Sequence, residues 1–372
     1  MYDQIREDIL FGMLYAVVAV LSLIACCYLL FRQGNAFARD VTPPVRLRRW
    51  TAAYFAAAAL GHLWYMPIFF LTANEDIMLC DLIGGLLDSV TGFPLAIIVM
   101  LNMLQDRQRP LWPIALMIAP FVVGGVFSVA TLSYALIPVL YVYLLLLSVC
   151  IVIYMVRATR QYGRWLRDNY ADLEHKEVWQ SFVVLAFILL LIVFYAFVSE
   201  SQLSQYAMQV ISIVLIGYLL WRVETLNDLS ISQPVPFTTE EGTTTTENME
   251  DNGLAQTAPD NIGLLLQQHC IDTQLYLQHD LNLSQLAKAI GTNRAYLTNY
   301  FTRQGINYNT YINNLRINHF MNLYREAVVA QQSFTAQQLA YESGYHSYST
   351  FSLAFKQRTG QSVSAWMRET SF

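Results

Sequence analysis

The chain has 372 residues, of which 55% are hydrophobic and only 13% charged, and its net charge is -5. Soluble domains average nearer 25% charged residues, so this composition excludes an ordinary water-soluble globular protein and a disordered polyelectrolyte alike. Of the 22 basic residues, 14 lie in the first 222 positions, nearly all between long apolar runs, which predicts a membrane-embedded part with a soluble end.

Seven apolar spans are expected, over residues 9–31, 50–72, 77–104, 111–131, 133–156, 179–198 and 205–221. Each has about the 17 to 25 residues that a bilayer core requires, apart from the longer third. Basic residues set the orientation. The linkers after spans one, three and five carry Arg32, Arg39, Arg46, Arg48 and Arg49, then Arg107 and Arg109, then Arg157, Arg160, Arg164, Arg167 and Lys176, and Arg222 follows span seven. The opposite side has only Arg6, so the positive-inside rule places the N-terminus outside and the C-terminal part in the cytoplasm.

Leu23-Ile-Ala-Cys26 looks like a lipoprotein cleavage box, but the residues before it are acidic rather than basic, and the span is expected to be retained. The five cysteines show no pairing framework and no metal-ligand spacing, so neither metal nor cofactor is expected. Within the spans the informative residues are polar. Asp81 and Asp88 stand seven apart, hence on one helical face, and His62 lies in span two. Ionisable groups at such depth face a bundle interior or a water cavity, which makes these three the candidate signal site. The simpler role is interhelical hydrogen bonding. Pairs of small residues, Gly84-Gly85 and Gly124-Gly125, are equally readable as close-packing points.

The basic stretch 157–176 has two readings, a helix lying on the inner leaflet or a solvated loop that only sets topology. Residues 223–256 then change character. Seven acidic residues (Glu224, Asp228, Glu240, Glu241, Glu247, Glu250 and Asp251), no basic one and a run of threonines predict a flexible tether.

From residue 257 onward helical periodicity returns. Residues 283–303 read as a short helix, a Gly291 turn and a second helix, with Ser284 and Asn293 at the N-cap positions. Residues 335–358 repeat the arrangement around Gly344, with Thr335 and Ser347 as caps. Between them, residues 308–326 contain neither Pro nor Gly and predict one helix, roughly 28 Å long at 1.5 Å per residue. Two recognition helices on such a rod match the repeat of a DNA duplex turn, roughly 34 Å.

Several motifs here fall in register with a known family. Gly305-Ile-Asn-Tyr308, Tyr311-Ile and Leu315-Arg316-Ile317 precede Gly344-Tyr345-x-Ser347-x-Ser349-x-Phe351, Phe355-Lys356 and Gly360. This C-terminal part, about residues 262 to 372, resembles the AraC/XylS family of bacterial transcription regulators. It departs from the family pattern at Ser362-Val363 and Trp366-Met367, and Asn299 and Leu353 stand where the recognition helices often carry Arg.

The resemblance implies base-reading positions at Arg294, Ala295, Thr298 and Asn299 in the first unit, and at Tyr348, Ser349, Ser352 and Leu353 in the second. Chemically, Asn299 suits adenine, Arg294 suits guanine or a phosphate, and Ala295 and Leu353 can touch only a thymine methyl. Arg303, Lys356, Arg358 and Arg368 are the expected phosphate contacts. Eight basic against six acidic residues from 257 onward make a net charge of about +2, low for a DNA binder, and a homodimer on double-stranded DNA is therefore expected.

The expected fold is all-α, a seven-helix transmembrane bundle (1–222), the tether (223–256) and a cytoplasmic domain of two helix-turn-helix subdomains joined by a long helix (257–372). The expected protein is a multi-pass inner-membrane transcription regulator, not an enzyme, which couples an unknown small-molecule or envelope signal to gene expression. The alternatives are a transporter or intramembrane enzyme with an accessory tail, and a tail that recognises protein instead of DNA.

Overall fold

A computed structural model describes residues 8–32, 34–38, 41–198, 202–229 and 259–370. Among these residues every regular element is helical. They form two compact units, one of residues 8–162 and 175–229, the other of residues 163–174 and 259–370.

The first unit contains α1 (Ile9–Phe31), α2 (Val45–Tyr65), α3 (Asn74–Val90), α4 (Gly92–Met103), α5 (Trp112–Thr131), most of α6 (Ile137–Asn169), α7 (Trp179–Val198) and α8 (Gln202–Thr225). Six of the spans so formed are long and apolar enough to cross a membrane, and α7 supplies a further apolar helix. α1 packs along α2, α2 against α4 and α3 against α5. Gly124 and Gly125 are close-packing points: an added Cβ would come within 2.9 Å of Leu140 and 2.7 Å of Leu86. Gly84 admits the Tyr65 ring in the same way, whereas Gly85 faces open space.

Several boundaries differ from those expected. The third span is broken at Thr91, because Pro94 has no N–H for the Val90 carbonyl and a new helix starts at Gly92. The second span runs from Val45 and closes in a 3-10 turn, Met66–Phe69, at Pro67. The basic stretch after span five is not a loop through Asn169: α6 continues for 33 residues, roughly 50 Å at 1.5 Å per residue, because Tyr162 and Leu166 bury on one side while the arginines stay exposed.

The start of the expected tether also differs. Glu224 ends α8 fully buried, paired with Arg48 at 3.2 Å, and Leu226 and Leu229 are buried behind it. These residues therefore pack with the bundle, and the rest of the expected tether, 230–256, lies outside the described residues.

In the second unit, α9 (Pro259–Leu266) runs into a π turn, Gln267–Ile271. α10 (Leu283–Ala289) and α11 (Arg294–Arg303) form the first helix-turn-helix, α12 (Tyr308–Val329) is the linking helix, and α13 (Ala336–Glu342) and α14 (Tyr348–Thr359) form the second, followed by α15 (Val363–Thr370). The cap of α10 is Asn282, not Ser284: its side chain accepts from Gln285 N while the Gln285 side chain accepts from Asn282 N. Asn293, Thr335 and Ser347 cap the helices expected of them.

Two hydrophobic cores result. The first gathers Leu286, Leu297, Phe301, Tyr308 and Ile312, with Ala171 of the 163–174 segment among them. The second gathers Ile317, Phe320, Tyr324, Leu339, Phe351 and Phe355. α12 serves both, and Arg316 lies where they meet. Its side chain is 0% exposed, and it donates to the carbonyls of Tyr276 (2.8 Å) and Gln278 (2.7 Å) with its guanidinium over the Tyr345 ring. Gly344 passes so close that a Cβ would lie 2.8 Å from the Leu277 carbonyl, and its φ of +89° suits only glycine well.

Candidate nucleic-acid interface and the polar cluster of the bundle

The two recognition helices start alike. Each has an oxygen-bearing cap, and each presents residues at spacing i, i+1, i+4 and i+5 on a single face. On α11, Ala295 and Asn299 are exposed while Arg294 and Thr298 are half-buried. Thr298 Oγ1 donates back to the Arg294 carbonyl at 2.8 Å, which leaves Asn299 as the side chain on that face best placed to reach outward. On α14, Ser349 and Leu353 are exposed, and Tyr348 and Ser352 are half-buried. Leu353 is 60% exposed, an apolar side chain without a core to fill.

The four basic residues expected at phosphates do not share one environment. Arg303 and Lys356 are exposed near the ends of their helices. Arg368 is exposed too, with Nε donating to the Ser364 carbonyl of its own helix at 3.3 Å. Arg358 is committed elsewhere: Nη1 donates to the Asn314 carbonyl at 2.5 Å and Nη2 to Asn318 Oδ1 at 2.6 Å. It clamps α14 to α12, and burial lowers its pKa from 12.5.

Beside α13, the rings of His279 and His346 lie 4.8 Å apart, and His346 Nε2 is 3.0 Å from Asp280 Oδ1. Burial is the first cause that lowers the His279 pKa, followed by His346 and Arg316. The Cys270 thiol, packed into the first core, is pushed up to about 11 by burial and is an inert apolar group at neutral pH.

Of the bundle residues, His62 and Asp88 share one cluster. His62 Nδ1 is 2.9 Å from the Ala58 carbonyl, Nε2 is 3.2 Å from Gln209 Oε1, and the Tyr15 ring lies tilted against the imidazole at a centroid distance of 4.6 Å. Asp88 accepts from Tyr65 Oη at 3.1 Å, and its other oxygen lies against Gly61, next to His62. Asp81, on the same face of α3 one heptad earlier, instead accepts from Tyr134 Oη at 3.1 Å. Tyr15, Tyr134 and Gln209 carry no sequence signal of their own, since tyrosines and glutamines recur throughout the spans.

No curated protein and no solved structure matches the chain. Residues 286–369, from within α10 to the end of α15, match the family model described as a helix-turn-helix domain, of the AraC type, which is a DNA-binding module of transcription regulators and not an enzyme family.

Proposed function

We propose that the protein is a membrane-anchored, sequence-specific transcription regulator whose helical bundle senses a signal and whose C-terminal unit reads double-stranded DNA in the cytoplasm. The observation that carries this reading is the pair of capped recognition helices, α11 and α14, on one linking helix. α12 has 22 residues, so it is roughly 33 Å long, close to the roughly 34 Å of one duplex turn.

Asn299 and Arg294 read bases in the first unit, and Tyr348, Ser349 and Ser352 in the second, with Ala295, Thr298 and Leu353 in supporting contact. Arg303, Lys356 and Arg368 bind phosphates. Membrane anchoring is supported by six helices of sufficient length and apolarity. The basic linkers favour an N-terminus outside and a DNA-binding unit inside. The cluster of His62, Asp88, Tyr65 and Gln209 is the sensing site, and Asp81 with Tyr134 is its neighbour on α3. A signal bound there acts only by favouring one packing of the bundle over another. With a modest net charge, the DNA-bound form is a homodimer.

The test is fluorescence anisotropy of the full chain in detergent micelles on the duplex upstream of its own coding sequence, in a salt series, beside an Arg294→Ala, Asn299→Ala variant. Selective binding that the variant loses is expected. Equal binding to a scrambled duplex at low salt overturns sequence recognition, and reporter output indifferent to deletion of residues 1–222 overturns sensing by the bundle.

A further inference from the structure

We propose, on the footing of the DNA-reading function above, that Glu174 is an intramolecular stand-in for a DNA phosphate and holds the second recognition helix in an autoinhibited state. The segment 163–174 belongs to the same compact unit as the two helix-turn-helices although more than 100 residues separate it from the first of them in sequence. Its backbone is firmly held. Asn309 Nδ2 donates to the carbonyls of Tyr170 (3.2 Å) and Ala171 (2.6 Å), and Asn313 Nδ2 to that of Ala171 (3.2 Å). Tyr170 also forms a bridge with Asn282, the cap of α10, and Ala171 is 1% exposed in the first core.

From this anchor the chain turns, with the Asp172 carboxylate accepting from Glu174 N at 2.9 Å, and delivers the Glu174 carboxylate to the start of α14. Glu174 Oε2 accepts from Ser347 Oγ and, at 2.8 Å, from Thr350 Oγ1. Ser349 Oγ and Thr350 N lie 2.9 and 3.3 Å from Ser347 Oγ and complete a small hydroxyl network around one anionic oxygen.

A carboxylate in this position does three things. It satisfies the positive end of a twelve-residue helix, the place where a phosphate oxygen docks in protein–DNA complexes. It consumes the hydroxyls of Ser347 and Thr350, which flank the base-reading positions Tyr348 and Ser349. It also sets a fixed negative charge against the DNA backbone at the part of the helix that has to enter the major groove. DNA reading by α14 therefore requires Glu174 to leave. Glu174 follows by five residues the end of α6, a helix that begins as an apolar span at Ile137, so displacement of that span is a direct means of withdrawing it.

Full-length protein in detergent micelles, with Glu174→Gln, Asn309→Ala and, as a control, Glu177→Gln, tests this by anisotropy on the fluorescein-labelled upstream duplex. Glu174→Gln is expected to bind about tenfold more tightly than wild type at about 150 mM salt. Asn309→Ala, which loosens the anchor without touching the carboxylate, moves affinity the same way, and Glu177→Gln leaves it unchanged. If Glu174 were only a helix cap, Glu174→Gln would bind equally or more weakly, and that result overturns the proposal. Binding by none of the four proteins at low salt overturns the DNA-reading function itself, and this inference falls with it.

Discussion

Arg358 Nη2 donates to Asn318 Oδ1 at 2.6 Å, a bond that ties the second recognition helix to the linking helix. An arginine so engaged has both terminal guanidinium nitrogens held by neutral partners on the linking helix. Arg358→Ala is expected to leave the salt slope of DNA binding unchanged while it destabilises the second helix-turn-helix by about 1 kcal/mol. Faster amide exchange along α14 at constant salt slope is the signature to look for; a slope shallower by about one ion returns Arg358 to the phosphate contacts.

Asn299 and Lys356 should separate reading from positioning. Asn299→Ala is expected to cost about 1–3 kcal/mol at one A·T position and little on other sequences. Lys356→Ala weakens all duplexes alike and reduces the salt slope by about one. Parallel titrations on single-substituted duplexes measure both.

Arg316 is the buried donor to three carbonyls of one short stretch of chain, those of Tyr276, Gln278 and His279. Arg316→Ala strands these carbonyls and opens a cavity between the two cores, at a cost of about 3–5 kcal/mol. Limited proteolysis of the full chain should then cut near residues 275–279, whereas wild type resists there.

His279 makes the C-terminal unit sensitive to acid. Its folded pKa lies below the ordinary 6.5, chiefly through burial, with His346 and Arg316 adding to it. The unfolded chain therefore binds a proton where the folded one does not. Stability is fully present above 6.5, and it declines as pH falls through 6.5 toward the lower folded value. His319, lowered by burial, acts in the same sense. Amide exchange of α13 and α14 should be slower at about pH 7.5 than at about pH 5.5, and His279→Asn should narrow the difference.

Asp88→Asn keeps an acceptor for Tyr65 and removes the titratable carboxyl beside His62. If the cluster senses the signal, reporter response is lost while DNA affinity in micelles stays at the wild-type level. Loss of both would assign Asp88 to folding of the bundle.

Much of this architecture follows from local chemistry alone. Long apolar runs, arginines between them, capping residues before apolar periodicity and a Gly turn at 291 and at 344 act within a few residues of chain, so they are readable in order. The motif register was enough to identify α10–α14 and the outward faces of α11 and α14, because side-chain direction on a helix follows from spacing. Tertiary structure decided whatever depends on partners distant in sequence. Glu224 read as one acid of a solvated tether until Arg48 and Tyr28, nearly two hundred residues earlier, took it into the bundle. Arg358 read as a basic residue of an exposed helix end, and its bonds to Asn314 and Asn318 on the linking helix are visible only in the folded chain. Glu174 carried no motif, and its meeting with Ser347 and Thr350 exists only because Asn309 and Asn313 hold the preceding backbone in place. Hydrogen bonds and ion pairs are short-ranged in space but indifferent to sequence separation, and for such contacts only the folded chain specifies the partner.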